Sequence, residues 1–193
     1  MAALKVNKPA TLEVANRKAW RRWLEKNYNS ASGVWLFIRK KNSFVEGIAL
    51  DEAVEEALCF GWIDGRINMV DVNRFKVLIT PRKPHSMWSR INKQRIEKLT
   101  QRGLMTPAGL QKVEAAKQDG SWNQLDAIDE LRFPQDFEKA LTANQSAQKN
   151  FETFSDAAKK QILWWIETAK RPETRQKRIT QAVAMAAQNR KPV

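Results

Sequence analysis

The spacing of apolar and polar positions predicts two kinds of element in the first part of the chain. Residues 11–28 and 50–60 carry apolar side chains at helical spacing with charged side chains between them, which indicates two surface helices. Residues 34–38 are apolar at every position and predict a central strand covered on both faces. Residues 63–70 and 74–80 are extended segments joined by a short turn, and together they predict a β-hairpin.

Helical spacing continues from residue 86 to the end of the chain. Ser86 is predicted to cap a helix over residues 87–102, and Thr106 to cap a second helix that starts with Pro107. Further helices are predicted to begin near Pro134, Ser146, Ser155 and Pro172. The fold class is therefore α+β: a small antiparallel sheet with helices in the N-terminal part, followed by an all-helical C-terminal module. The predicted divisions are an α+β domain (1–120), a connecting segment (121–133) and a helical module (134–193).

Composition places the chain among packed globular proteins, with 42% hydrophobic and 28% charged residues. Its apolar runs are far shorter than the roughly 18 residues of a membrane span, so no such span is predicted. The N-terminal segment lacks the apolar stretch of a secretory signal, which predicts a cytoplasmic protein. One cysteine, Cys59, and one histidine, His85, exclude an internal disulfide and a zinc site of the usual Cys/His type within one chain. We expect no metal and no cofactor.

The charge of the chain is strongly basic and unevenly distributed. The formal net charge is +13, and the basic excess is concentrated in residues 1–41, 66–102 and 159–193. Residues 42–65, between the first two basic blocks, carry six acidic residues and no basic one. A cationic surface attracts anionic partners, and the ones we expect are nucleic acid or a phosphate-bearing ligand.

The junction over residues 80–95 concentrates the candidate chemistry. It connects the hairpin to the helix predicted after Ser86 and contains cations, prolines, a histidine and a tryptophan. The free backbone N–H groups of a helix that begins at Ser86 would lie beside Arg82, Lys83 and His85, which is an anion-binding geometry. An exposed basic turn that binds nothing is the alternative interpretation, and the sequence does not separate the two.

The helix after this turn carries two polar side chains on its apolar side. At about 100° per residue, the arc that faces the core consists of Trp88, Ile91, Ile96 and Leu99. Asn92 and Arg95 fall within the same arc. A half-buried guanidinium needs a partner, and Asp64 on the hairpin is the predicted partner of Arg95. The three polar residues are therefore either a structural network or the lining of a ligand pocket.

The candidate anion-binding residues are Arg66, Arg82, Lys83, His85, Trp88, Ser89, Asn92 and Arg95, with Asp64 as a structural partner. No catalytic residue is assigned, because nothing near His85 in the sequence orients it and the Walker, Rossmann, GxSxG and HExxH patterns are missing. Cys59 is predicted to be an inert core thiol, and the acidic stripe over residues 51–56 a solvated helix face. Most of the eight tryptophans are predicted to pack in the core rather than to stack on bases.

Five separated phrases of the sequence resemble one known family. They are LCFGWIDG at 58–65, TPRKP at 80–84, WS at 88–89 with Asn92 and Arg95, MTPAG at 105–109, and AKRPETR at 169–175 with Arg178 and Ile179. From about residue 10 to 190 the chain resembles the YdeI/OmpD-associated family, often labelled bacteriocin-protection proteins. The helices from about Pro134 resemble its OmpD-associated module. The first part resembles, more loosely, the YjbR/CyaY-like α+β fold.

The resemblance implies a link to tolerance of bacteriocins and cationic antimicrobial peptides, without an established reaction. Because a protein of net charge +13 repels cationic peptides, we expect any protective role to be indirect. The leading hypothesis is a non-enzymatic cytoplasmic protein that binds an anionic partner. One alternative is a small enzyme that acts on an anionic metabolite in a pocket around Asp64, His85 and Arg95. Another is a protein-interaction scaffold that uses the C-terminal helices.

Overall fold

A computed structural model describes residues 9–190. Residues 1–8 and 191–193, the ends of the two predicted domains, lie outside the described part, and so does the N-terminal segment on which the cytoplasmic prediction rests. The chain divides into two compact units, Met1–Trp122 and Asn123–Val193. The finer domain limits given above stay a prediction.

The described part of the first unit contains one sheet and several helices. In chain order the elements are β1 (Ala10–Leu12), α1 (Arg17–Asn27), β2 (Val34–Arg39), α2 (Leu50–Cys59), β3 (Trp62–Met69), β4 (Arg74–Pro81), α3 (Arg90–Gln101) and α4 (Pro107–Gln118). The strand order is β1-β2-β4-β3, with β1 parallel to β2 and the other pairs antiparallel. The predicted α+β class is confirmed, and β3 and β4 form the hairpin.

Within residues 9–122 helices cover only one face of strand β2, so the prediction of two covered faces is wrong for this unit. Val34, Leu36 and Ile38 are buried in the same core as side chains from α1 to α4, whereas Trp35 and Phe37 are half-buried. The second face is nevertheless apolar, because cationic side chains of β3 and β4 lie over these two aromatic rings. Long cationic side chains can cover apolar surface while their charged ends stay in water.

The first helix begins later than predicted. Residues Ala10–Leu12 are a short strand in which Thr11 lies opposite Trp35. Helix α1 starts only at Arg17, where the side chain of Asn16 accepts a hydrogen bond from the backbone N–H of Ala19 at 3.0 Å. The predicted helix over residues 11–28 is therefore wrong in its first part, because an N-cap asparagine ends the extended segment.

An ion cluster joins α1 to α2. Arg17 and Arg21 both contact the carboxylate of Glu56, at 2.6 and 2.7 Å, and Arg17 also contacts Glu55 at 2.7 Å. Glu56 is only 3% exposed. The predicted solvated face over residues 51–56 is thus wrong at Glu56, because the acidic block of the sequence meets cations of the first basic block.

Helix α4 begins against the end of α2. The backbone N–H and the hydroxyl of Thr106 both donate to the carbonyl oxygen of Cys59, at 3.1 and 2.6 Å. Gly109 lies one turn further on, where an added Cβ would be 2.2 Å from the same oxygen. Since no side chain tolerates that distance, the approach of the two helices depends on glycine at position 109.

The second unit is helical in its described part, as predicted. Its helices are α5 (Asp126–Asp129), α6 (Gln135–Thr142), α7 (Gln145–Glu152), α8 (Asp156–Glu167) and α9 (Pro172–Ala187). Phe133, Phe137 and Phe151 pack edge to face in its core, with ring centroids 5.4 to 6.1 Å apart. None of the helices in residues 9–190 is long and apolar enough to cross a membrane.

Candidate functional site

A small open pocket lies between the loop after β4 and the end of α4. The lining residues are Arg82, Lys83, Pro84, His85, Ser86, Trp88, Lys112, Ala115, Ala116, Asp119 and Ser121. Its volume is about 60 Å³, several times the roughly 10–15 Å³ that one water molecule needs on the same measure. Three of the lining side chains, those of Arg82, Lys83 and Lys112, are cations at neutral pH, against the single carboxylate of Asp119.

Arg82 is a buried cation that stacks on an aromatic ring. It is 4% exposed, and its Cζ lies 3.6 Å from the centroid of the Trp88 ring. Its Nη1 donates to the carbonyl oxygens of Ser86 and Met87, at 3.3 and 3.0 Å, and it forms no ion pair within the described part of the chain. Burial lowers the pKa of Arg82 to about 10, and the charge of Asp64 opposes this only in part. The alternative interpretation of this loop as an exposed basic turn is therefore wrong at Arg82.

Three buried polar atoms at this pocket have no hydrogen-bond partner among residues 9–190: Arg82 Nε, Trp88 Nε1 and Ser121 Oγ. Trp88 and Ser121 are 1% and 4% exposed. The hydroxyl of Ser121 lies near enough to Asp119 to lower the pKa of that carboxyl, but it does not reach hydrogen-bond geometry with it. Buried polar groups are nearly always paired, so this concentration of unpaired donors suits a ligand rich in acceptors.

Asp119 fixes the loop that carries Arg82. The backbone N–H of His85 donates to Asp119 Oδ2 at 3.1 Å, and His85 Nδ1 lies 3.2 Å from the same oxygen. His85 has a φ of 56°, in the left-handed region, and its side chain is 77% exposed. The hydroxyl and backbone N–H of Ser121, and then the backbone and charge of His85, lower the pKa of Asp119. An ionised Asp119 therefore holds the loop against the end of α4 at neutral pH.

Ser89, and not Ser86, caps the helix after this loop. Its hydroxyl accepts a hydrogen bond from the backbone N–H of Asn92 at 3.3 Å, and α3 begins at Arg90. The predicted cap is wrong by three residues, because the loop up to Trp88 folds around Arg82 instead of starting a helix. Ile91, predicted to face the core, is 61% exposed in the first turn of α3.

Arg95 pairs with Asp51, so the predicted pair with Asp64 is wrong. Arg95 Nη2 contacts Asp51 Oδ1, and Nη1 donates to Asn92 Oδ1 at 3.0 Å. Asn92 is buried and Arg95 is half-buried, as the helical phase predicts. Asp51 was available because α2 packs against α3. This network connects two helices and takes no part in the pocket.

The structure brings together only part of the predicted set. Arg82, Lys83, His85 and Trp88 line the pocket, whereas Ser89, Asn92 and Arg95 do not. Arg66 lies on the sheet, with its Cζ 6.0 Å from the centroid of the Trp35 ring. Asp64 acts on Arg82 only through its charge.

Sequence reasoning missed three pocket residues, Lys112, Asp119 and Ser121. Asp119 Oδ1 accepts a hydrogen bond from the backbone N–H of Ser121 at 2.9 Å. Aspartate side chains often accept a hydrogen bond from the backbone N–H two residues later, so this contact has a local signal in the sequence. That Asp119 also contacts His85, 34 residues earlier, has no local signal.

Metal binding has no candidate site in the described residues. No group of three or more His, Cys, Asp or Glu side chains between residues 9 and 190 is placed to hold a metal ion.

Two family models match the chain. One, described as "Domain of unknown function (DUF8412)", matches residues 12–112. The other, described as "Bacteriocin-protection, YdeI or OmpD-Associated", matches residues 130–189. The predicted family resemblance is confirmed for the C-terminal module, whereas the YjbR/CyaY-like resemblance of the first part has no support. Neither a curated protein nor a solved structure matches the chain.

Proposed function

Because the chain belongs to the family of that domain of unknown function, and carries a YdeI/OmpD-associated module after it, we propose its function from the chemistry of its own residues. The protein binds a small oxyanion, a phosphate or carboxylate group, in the pocket beside Arg82. It does so without catalysing a reaction on it.

The state of Arg82 supports this proposal more than any other single observation. An isolated buried charge is costly unless it is paired and fully hydrogen-bonded. Arg82 is 4% exposed, its partners are two backbone carbonyls, and its Nε is unpaired. An oxyanion would supply both the missing charge and the missing acceptors, and hydrogen bonds between ions are about twice as strong as those between neutral groups.

The surroundings of Arg82 match an oxyanion in size and charge. A volume of about 60 Å³ has room for such a group. Lys83 and Lys112 add positive charge at the rim, and the unpaired indole N–H of Trp88 adds a neutral donor. Within the loop, the hydroxyl of Ser86 is already committed, since it donates to the carbonyl oxygen of Lys83 at 2.7 Å.

The enzyme alternative has less support, because its three residues have separate partners. His85 contacts Asp119, Arg95 contacts Asp51 and Asn92, and Asp64 acts on Arg82 through charge alone. A general base must lie within hydrogen-bond reach of the proton it takes. The backbone N–H and Nδ1 of His85 both contact Asp119. No hydroxyl or thiol of the described chain is hydrogen-bonded to the imidazole.

The role in bacteriocin tolerance named for the C-terminal family is proposed here to be indirect. A net charge of +13 disfavours direct capture of cationic peptides. Binding a cytoplasmic anion in the first unit would instead let the protein respond to the concentration of that anion in the cell. The cytoplasmic location is part of the proposal.

The test is calorimetric titration of the full chain with orthophosphate, sulfate and citrate, with thermal unfolding in the same solutions. Ligand at ten times its Kd stabilises a protein by about 1.4 kcal/mol. We expect such a shift for at least one of the three anions with the wild type and none with Arg82→Met. Because sulfate and phosphate also stabilise proteins non-specifically, the difference between the two chains is the measurement.

A matched control is Arg178→Met. Arg178 also lies over a tryptophan, with its Cζ 5.4 Å from the Trp165 ring, and also donates to a backbone carbonyl, but it is far from this pocket in the sequence and does not line it. It should keep the full ligand response. Equal responses in the wild type and Arg82→Met would overturn the proposal.

A further inference from the structure

The face of the sheet that no helix of residues 9–122 covers combines aromatic and cationic side chains. Trp35 and Phe37 alternate along β2 with the buried Val34, Leu36 and Ile38, so they belong to this second face. Lys76 of β4 is the register partner of Phe37, and Arg74 is the partner of Arg39. Residues at directly paired positions share a face, which places these side chains together. We call this surface the open sheet face, and its side chains are those of Trp35, Phe37, Arg39, Arg66, Arg74 and Lys76.

The cations lie over the faces of the two rings. Lys76 Nζ is 5.3 Å and Arg66 Cζ is 6.0 Å from the centroid of Trp35, and Arg74 Cζ is 5.3 Å from the centroid of Phe37. Each ring therefore has at least one face covered by a long, flexible cationic side chain of a neighbouring strand. Two residues along one strand separate the rings by about 7 Å.

Most of these cations keep their charge free for a partner. Within the described chain, Arg66 and Lys76 form no ion pair, and Arg39 donates to the carbonyl oxygen of Gly47 at 3.1 Å. Arg74 is the exception, since it pairs with Asp71 and with Glu13, at 3.0 and 2.9 Å. The face thus keeps an excess of positive charge beside its two aromatic rings.

We propose that this face binds single-stranded nucleic acid, with bases stacked on Trp35 and Phe37 and phosphates held by Arg66, Lys76 and Arg39. Stacking platforms with adjacent cations are how proteins hold single strands, because every unpaired base offers a flat face. The long side chains of Arg66 and Lys76 can move from the ring faces to the phosphates that a stacked strand brings. This surface and its ligand are independent of the oxyanion pocket, which lies at other residues.

A lipid surface fits the same face less well. Peripheral binding to a bilayer uses apolar side chains that protrude into it, and Trp35 and Phe37 are half-buried within the strand. Protruding apolar side chains do occur on Phe44 and Val72, in the loops after β2 and β3, where they are 104% and 85% exposed. Those loops give the test its competing outcome.

The experiment measures fluorescence anisotropy of labelled ten-nucleotide dT and rU strands with the full chain, at 50 and 200 mM salt. Each phosphate contact to a single strand contributes about −0.7 to the slope of log K against log salt. Arg66→Ala combined with Lys76→Ala should therefore flatten the slope by about 1.4, which is two contacts. Phe37→Leu should weaken binding about tenfold, as loss of one stacked base does.

One variant serves as the control. Lys98→Ala removes a cation in the last turn of α3, away from this face, and should leave the affinity unchanged. The oxyanion proposal is tested with other variants and other ligands, so a failure of that proposal and a failure of this one can be told apart.

Several results would overturn the proposal. They are no binding at 50 mM salt, an unchanged salt slope in the double variant, and duplex DNA bound as tightly as the single strand. Binding to vesicles that contain phosphatidylglycerol, lost in Phe44→Ser and kept in Phe37→Leu, together with no affinity for the strands, would assign the surface to a membrane instead.

Discussion

Comparing the half-buried pair Arg17 and Arg21 with the buried Arg82 shows how the available partners decide the role of a guanidinium. Arg17 and Arg21 share the buried carboxylate of Glu56, and Arg21 also lies over the ring of Phe60 at 5.3 Å. Burial acts to lower the pKa of both, but the hydrogen bonds and charge of Glu56 raise it overall. Arg82 has an aromatic neighbour too, but no carboxylate, and its pKa falls. The first group is complete as a structural unit, whereas Arg82 has capacity left for a ligand.

Removing the negative charge of Glu56 should have the largest effect on stability. Replacing this residue with glutamine, Glu56→Gln, leaves Glu25, at 3.5 Å, as the carboxylate that still contacts Arg21, beside its hydrogen bond to the carbonyl oxygen of Leu104 at 3.1 Å. Removing one partner of a fully buried pair costs about 3–5 kcal/mol. Because the two arginines are 31% and 28% exposed, we expect a loss of about 2 kcal/mol in the free energy of unfolding, measured by urea denaturation. Glu52→Gln, on the same helix, is the control, and equal losses in the two variants would contradict the distinction.

Arg82→Met should cost far less than Glu56→Gln. Methionine replaces an unpaired buried cation with an apolar chain of similar length, a change that is often neutral or stabilising. The two backbone carbonyls that lose their donor offset part of the gain, so the net change should lie within about 1 kcal/mol of zero. Urea denaturation at pH 7 without added anions measures it, and a loss as large as that of Glu56→Gln would show that Arg82 is structural.

The difference in stability between the wild type and Arg82→Met is also predicted to depend on pH. The pKa of Arg82 is about 10 in the folded chain, below the ordinary value of an arginine, so folding opposes the charged form. That penalty is fully present below pH 10 and is relieved as the pH rises above 10 towards the ordinary pKa of arginine. The stability of the wild type relative to Arg82→Met should therefore rise between pH 9 and pH 11, and a fall would contradict the sign.

Asp51→Asn should have a smaller effect on stability than the loss of Glu56. Asp51 is 80% exposed and Arg95 is 23% exposed, and exposed ion pairs are worth about 0.2–1 kcal/mol. We expect a loss of about 0.5 kcal/mol in urea, reduced further at 1 M salt, where screening is strong. A loss that ignores salt would mean that Asp51 has a role besides its charge.

The last prediction concerns the rate at which the thiol of Cys59 reacts, and it involves no change in stability. Burial, and next the charge of Glu56, raise the pKa of its thiol to about 11, although Arg21 acts in the other direction. At pH 8 only about a thousandth of the thiol is thiolate, the reactive form. Iodoacetamide should thus modify native Cys59 very slowly and the urea-unfolded chain rapidly. Fast modification of the native chain would contradict its burial.

Much of the fold follows from local patterns. The helix α2, the hairpin of β3 and β4 and the N-cap of α4 at Thr106 all have short-range signals, and each is present. The strand β1 was not predictable, because three residues that pair with β2 read equally well as the start of a helix. The apolar run in β2 also does not show what covers its second face, since apolar side chains there fit either a helix or long cationic side chains.

The candidate site was predictable only in its loop. Arg82, Lys83, His85 and Trp88 lie close in the sequence, and the turn-forming prolines indicate that they meet. The depth of Arg82 and its contact with the end of α4 depend on how that helix packs. The choice of Asp51 over Asp64 as the partner of Arg95 likewise depends on the placement of α2, which helical phase alone does not give.

The contact at Gly109 makes a conditional allele available for work in cells. In Gly109→Ala a single methyl group would sit against the carbonyl oxygen of Cys59, at a distance that forces α4 outward. Such a wedge weakens folding, and because Lys112, Ala115 and Ala116 of α4 line the pocket, it disturbs the pocket as well. A strain with this allele would carry the protein at low temperature and lose it on warming, so that its physiological role is read within one culture.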